Sequence, residues 1–180
     1  MNITVFAGAA EGKRPEYMKA AAEVGRWIGE KGHVLVYGDG KVGMMGEVAR
    51  ATLTAGGKVT GIIPQFMIDN GWENTDVTEM IVTNNMSERK LKMAEMGDVF
   101  IALPGGIGTL EEAADMISWI RLGLYKAPFI FYNTLGCYDK LKEQYDRMFE
   151  DEFYEAGELD FMLFSDNLVE IEAFVMKYLG

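Results

Sequence analysis

The sequence predicts an α/β protein with a Rossmann-like, doubly wound parallel sheet and helices on both faces. Three observations predict it. Seven short apolar runs recur along the 180 residues, several of them continuous rather than alternating, which is the pattern of strands covered on both faces. Helical patterns separate the runs, and strand–helix alternation calls for parallel strands joined by right-handed crossovers. Three glycine-containing turns directly follow strand candidates, where the loops at the carboxyl edge of such a sheet lie.

The elements follow in order. ITVFAG (3–8) reads as the first strand. A helix after Pro15, a residue suited to a first helical turn, shows one face of Ala21, Val24, Gly25 and Ile28. HVLVYG (33–38) and KVTGII (58–63) are the next strands. The segment 65–76 has no clear period and reads as a surface loop. EMIVT (79–83) is a strand, and a helix is expected to begin near Ser87 with that serine as its N-cap. VFIALP (99–104) precedes a helix beginning near Thr109, with Leu110, Ala113, Ala114, Ile117 and Ile120 on one face. FIFY (129–132), a helix with Tyr138, Leu141, Tyr145 and Met148, FMLF (161–164) and a last helix after Asp166, carrying Leu168, Ile171, Phe174 and Val175, complete the chain. No repeat or linker interrupts it, so residues 1–180 read as one domain.

Composition narrows the function. Hydrophobic residues make up 49% of the chain, enough for a sizeable core. The net charge of −11 supplies no basic face to track a nucleic acid. No run approaches the roughly 20 apolar residues of a membrane span. The start, MNITVFAGAA, lacks the basic region of a signal peptide. A lone cysteine, Cys137, allows no intrachain disulfide and fits a reducing, cytoplasmic setting, with the thiol itself inert. The single histidine, His33, opens an apolar run and reads as structural. No histidine, cysteine or acidic cluster has metal-ligand spacing, so no metal is expected.

Chemistry concentrates at the turns. The second, Gly38-Asp39-Gly40-Lys41-Val42-Gly43, formally matches the G-x-G-x-x-G of dinucleotide sites. It follows the second strand, not the first. The acid expected about 20 residues further on is missing from the end of the next strand, TGIIPQ. A nicotinamide oxidoreductase rests on that turn alone. Tight helix packing, or a phosphate- or ribose-facing loop with Gly8, Gly38 and Gly40, are the other readings. The third turn, Pro104-Gly105-Gly106-Ile107-Gly108-Thr109, permits close backbone approach. It leads into a helix whose first N–H groups and dipole can hold a phosphate. Thr109-Leu110-Glu111-Glu112 also reads as a capping box. Arg89 and Lys90 fall in the expected first turn of a helix, where the dipole disfavours cations; such a broken rule points to function, the other reading being a surface pair answered by Glu88 or Glu95. Met86, Met93, Met96 and Met116 read as core filler or as an adaptable wall for a nucleobase.

MSERK followed by LPGGIGTLEE resembles the LOG ("lonely guy") phosphoribohydrolases, whose signature is an arginine–lysine pair before PGGxGTxxE. GKRPEY, YGDGKVGMMG, GKVTGIIP, SWIRLGLYKAP and the stretch from CYDKL extend the likeness along nearly the whole chain. The resemblance implies a Rossmann-like fold, a homodimer without cofactor, and hydrolysis of cytokinin nucleotides or other nucleoside monophosphates to free base and ribose 5-phosphate. It maps the catalytic pair onto Arg89 and Glu112. Substrate contacts map onto Met86, Lys90, Gly105, Gly106, Ile107, Gly108, Thr109, Glu111 and Ser118. Four positions depart from the family: its GSS is Gly8-Ala9-Ala10, its YGGG carries Asp39, and the histidine usual after Met86 is Ser87. Asp39 would place a carboxylate near an anion site. PGGxGT proteins of this fold also include molybdenum-cofactor carriers, so a non-catalytic binder is the alternative. Such chains are often labelled lysine decarboxylases as well, but no pyridoxal-phosphate lysine site is recognisable here.

For a nucleotide hydrolase the expected mechanism is electrostatic. Breaking the N-glycosidic bond builds positive charge on the ribose, which the Glu112 carboxylate would stabilise. Arg89 would position the phosphoribose or polarise the departing base, with Lys90 assisting, and the glycine turn would hold the 5′-phosphate.

Overall fold

The computed structural model describes residues 1–179. The chain runs β1 (Asn2–Phe6), α1 (Pro15–Glu30), β2 (Val34–Tyr37), α2 (Gly43–Thr54), β3 (Lys58–Pro64), α3 (Gln65–Asp69), β4 (Glu79–Thr83), α4 (Met86–Met96), β5 (Val99–Ala102), α5 (Ile107–Arg121), β6 (Phe129–Tyr132), α6 (Asp139–Glu150), β7 (Met162–Ser165) and α7 (Leu168–Leu179). The strands form one sheet in the order β4-β3-β2-β1-β5-β6-β7, and every neighbouring pair is parallel. All seven strand readings have their counterpart here.

The period-2 pleat explains why continuous apolar runs form the strands. Ile3, Val5, Val99, Ile101, Ile130 and Tyr132 pack on one face against Ala21, Val24 and Ile28 of α1, Val48 of α2 and Ile171 of α7. Phe6, Phe100, Ala102, Phe129 and Phe131 pack on the other against Met93 of α4 and Ala113, Met116 and Ile117 of α5. Both faces are therefore covered, and the central strands need apolar residues at every position. Thr4 is the polar exception: it is fully buried, and its hydroxyl donates to the Met93 carbonyl at 3.2 Å, which meets the demand a buried polar group makes.

Chain order reverses at β1, which pairs with β2 on one side and β5 on the other. The helix after β1 lies on one face of the sheet and the helix after β5 on the other, and the carboxyl edge at such a reversal is the usual ligand position. His33 precedes β2 at the opposite end of the sheet, meeting Trp27 edge-on with ring centroids 5.6 Å apart. Among the described residues, no helix is long and apolar enough to cross a membrane, and no group of three or more His, Cys, Asp or Glu is arranged to hold a metal ion.

Three local readings need correction. Residues 65–76 are not loop throughout: QFMID forms α3, too short to display a period. The cap of α4 is Asn85, whose side chain accepts from the Glu88 N–H at 2.9 Å; Ser87 lies inside the helix. Arg89 and Lys90 thus fall beyond the first turn of α4. No capping box forms at Thr109 either, because α5 already starts at Ile107 with Gly106 as N-cap and no side-chain cap.

Candidate active site

The carboxyl edge at this reversal holds a cavity of about 570 Å³, within the size range of small-molecule sites. Its walls come from six places in the chain: Ala7, Gly8 and Ala9 after β1, Gly40 to Val42 after β2, Met45 of α2, Met67 and Trp72 of the stretch 65–76, Met86 and Arg89 of α4, and the start of α5.

Arg89 is 5% exposed. A buried guanidinium needs its donors matched, and β3 and the turn directly after β2 supply acceptors. Nε donates to the Ile62 carbonyl at 3.2 Å, and Nη2 to the Gly38 carbonyl at 3.3 Å. Nη1 points at Met86 Sδ, 3.6 Å away, and forms an ion pair with Glu112 Oε1 at 3.5 Å. A side chain at position 38 would destroy this seat: a Cβ there would stand 1.6 Å from Nη2. Gly38 is thus required by close approach rather than by a turn.

Glu112 is 9% exposed. Burial pushes its carboxyl above the usual carboxylate range, against the pull of Arg89; removal from water disfavours the charged form. The pair gives the cavity a desolvated carboxylate beside a fixed cation. A developing positive charge near Glu112 would meet little solvent screening.

The start of α5 forms a third part. No side chain caps it, so its first N–H groups are free to bind an anion. Gly106, Gly108, Thr109, Glu111 and Glu112 all line the cavity. An apolar wall of Val42, Met45, Met67, Trp72 and Met86 faces them.

The structure does not bring every candidate to this cavity. Met86, Arg89, Gly106, Gly108, Thr109, Glu111, Glu112, Gly8 and Gly40 line it. Lys90 instead reaches across to α5, pairing with Asp115 at 2.6 Å and with Glu111, and both partners raise the pKa of its ammonium. Ile107 is 88% exposed, and Ser118 lies exposed on α5 away from the lining. Gly105 packs against Gly8 and Thr109. With Gly8 N–H donating to the Pro104 carbonyl at 3.2 Å, it separates the main cavity from a neighbouring hollow bounded by Tyr17, Cys137 and Tyr138. Cys137 is exposed as a residue, yet the protein around its sulfur displaces enough water to push the thiol up to about 11, which suits an inert thiol.

Asp39 departs from its expectation most. It is fully buried and does not line the cavity. Of the four methionines singled out in the sequence, only Met86 reaches the cavity; Met93 and Met116 are core. Met45, Met67 and Trp72 take their place.

Comparison with known proteins gives the family. Residues 45–174 match the family model described as possible lysine decarboxylase. The cytokinin riboside 5′-monophosphate phosphoribohydrolase LOG of Oryza sativa subsp. japonica is 42% identical over 137 residues, 76% of this chain and 57% of its own length. A cytokinin riboside 5′-monophosphate phosphoribohydrolase of Arabidopsis thaliana is 37% identical over 169 residues, 94% of this chain and 74% of its own. The chain belongs to the LOG family. It spans about two thirds of the length of these curated relatives, between 57% and 74%. Among solved structures, the molybdenum cofactor carrier protein of Chlamydomonas reinhardtii superposes with a TM-score of 0.75 at 23% identity, covering 99% of this chain and 97% of that one. At that identity the likeness shows the fold alone.

Proposed function

We propose that this LOG-family protein hydrolyses the N-glycosidic bond of a nucleoside 5′-monophosphate, cytokinin nucleotide or AMP-like, to free base and ribose 5-phosphate. The observation that carries the reading is the buried pair of Arg89 and Glu112, 3.5 Å apart in one cavity with the uncapped start of α5.

Each part has a task. The 5′-phosphate docks on the first amides of α5, with Gly106, Gly108 and Thr109 around it, and the helix dipole favours its charge. The ribose then lies beside Glu112. As the C1′–N bond stretches, the sugar gains oxocarbenium character, and the Glu112 carboxylate stabilises it and orients water. The water oxygen bonds to C1′, and the departing base takes up a proton. Arg89 fixes Glu112 in place and orients the phosphoribose. The apolar wall with Met45, Met67, Trp72 and Met86 receives the base.

A lysine decarboxylase activity fits less well. Schiff-base chemistry needs a neutral amine, and Lys90 is held charged by Asp115 and Glu111. A molybdenum-cofactor carrier is the competing outcome, favoured by Ala9 and Ala10, which bring no hydroxyl to the first loop. A cytoplasmic homodimer belongs to the proposal too, supported by the lone thiol and by exposed Leu91 on α4 and Ile107 and Leu110 on α5.

The test is base release from AMP and isopentenyl-AMP by wild type, Arg89→Ala and Glu112→Ala. Each substitution is expected to lower kcat by about a hundredfold or more. Absence of base release by wild type, or variants that match it, overturns the assignment; a co-purified pterin would favour the carrier.

A further inference from the structure

Asp39 is the least expected side chain in the fold. It follows β2 with φ at +58°, a left-handed conformation that Asp and Asn adopt more readily than other residues bearing a Cβ. It is fully buried. Its space exists because β3 carries glycine beneath it: a Cβ on Gly61 would lie 1.9 Å from Asp39 Oδ1.

The carboxylate turns away from the cavity and toward residues 71–74. Oδ2 accepts from the Asn74 N–H at 3.3 Å, while Asn74 Nδ2 donates to the Tyr37 hydroxyl at 2.9 Å. Gly40 makes an antiparallel bridge to Glu73, and the Lys41 ammonium donates to the Gly71 carbonyl. The loop after β2 therefore holds a strap, residues 65–76, at several points. That strap carries Met67 and Trp72 into the cavity wall, and Trp72 is 52% exposed there. The same loop supplies the Gly38 carbonyl that seats Arg89. One four-residue stretch thus touches both the guanidinium and the wall opposite it.

We propose that Asp39 is a positioning residue for the base end of the substrate, fixing the strap so that Trp72 forms a stacking platform on a loop shared with the seat of Arg89. The inference rests on the nucleotide reading of this cavity and assigns the strap to recognition of an aromatic base. The groups facing Asp39 are Tyr37, Glu73, Asn74 and, further off, Arg89. Burial raises its carboxyl to about 6, with Glu73 adding to the rise and Tyr37, Asn74 and Arg89 opposing it. Either protonation state can accept from the Asn74 N–H. The tie thus depends on an oxygen at this place and not on its charge.

Three variants test it: Asp39→Gly, which keeps the left-handed backbone and removes the tie; Asp39→Asn, which keeps backbone and acceptor; and Trp72→Ala, which removes the platform. AMP and ribose 5-phosphate binding are measured by titration with every protein, the reference included, also carrying Glu112→Ala so that AMP is not turned over, and amide exchange is followed over residues 65–76. Loss of a stacked base contact corresponds to about a tenfold weaker AMP affinity for Asp39→Gly and Trp72→Ala. Ribose 5-phosphate, lacking a base, should bind all three variants as it binds the reference. Amides of the strap should exchange faster in Asp39→Gly, with the central strands unchanged. Asp39→Asn should restore both readouts, and Asp39→Gly should add little to Trp72→Ala. Wild-type strap exchange in Asp39→Gly overturns the proposal, as does equal weakening of AMP and ribose 5-phosphate. If the reference binds no AMP, the nucleotide reading falls, and the exchange comparison still decides whether Asp39 holds the strap.

Discussion

Gly38→Ala probes the seat of Arg89 without replacing any charged group. The new Cβ would lie 1.6 Å from Arg89 Nη2 and 2.7 Å from Cζ. Relief to an ordinary contact of about 3.5 Å requires the guanidinium head to retreat by roughly 2 Å. Nε is held by the Ile62 carbonyl, so the head swings rather than withdraws. The hydrogen bond to the Gly38 carbonyl is then lost, and a bond to a charged group is worth about 1.5–3 kcal/mol. Stretching the 3.5 Å pair with Glu112 to about 5 Å weakens the attraction from about 5 to about 3 kcal/mol at an effective dielectric of roughly 20. A catalytic group displaced by about 1 Å typically costs a hundredfold. We therefore expect kcat/KM for base release to fall about 10²-fold, with Tm lower by roughly 5–10 °C. Initial rates of base release at low substrate, with thermal melts alongside, measure both. The double variant with Arg89→Ala should be no slower than Arg89→Ala alone. A Gly38→Ala enzyme within threefold of wild type, or a double variant much slower than Arg89→Ala, would refute the reasoning.

Two further outcomes follow from the ion pairs and the buried carboxylate. Lys90→Ala removes a link between α4 and α5, leaving Glu111 and Asp115 without their shared cation. Stability should drop by about 1 kcal/mol in urea melts, with a smaller loss of turnover than either member of the buried pair shows; a loss as deep as that of Glu112→Ala would return Lys90 to the reaction itself. Asp39 has a raised folded-state pKa, so its contribution to stability is present below its usual value of 3.8 and is lost as pH rises through about 6. Asp39→Asn should thus be more stable than wild type near neutral pH, with the difference closing as pH falls below about 6. A difference in Tm that stays flat from pH 4 to pH 8 contradicts this.

The fold was legible because its central strands are buried on both faces: FIFY or VFIA has no other place in a protein of this size. Pro15 marked the start of α1 by chemistry local to the residue. Two of the misses, Arg89 and the stretch 65–76, share one cause, dependence on partners remote in sequence; the cap of α4 is a local choice. Arg89 reads as a misplaced first-turn cation until the Gly38 and Ile62 carbonyls are in place. Asn85 and Ser87 are both competent N-caps, and only the observed bond to Glu88 N–H separates them. Residues 65–76 show no period because ties to Tyr37, Asp39, Gly40 and Lys41 order the strap, rather than a pattern of its own. Trp72 and Met67 were accordingly invisible as cavity residues. The PGGxGT turn and Glu112 were legible because the amides of a helix start and a residue in its second turn must lie close together.

Hydrolysis of AMP in water enriched in ¹⁸O, read by mass spectrometry of both products, tests the central claim most directly. Attack of water at C1′ beside Glu112 predicts unlabelled adenine and ribose 5-phosphate carrying one heavy oxygen at its anomeric carbon, read promptly before ring opening exchanges it. AMP recovered intact, or label found on phosphate released from a nucleoside, would contradict it.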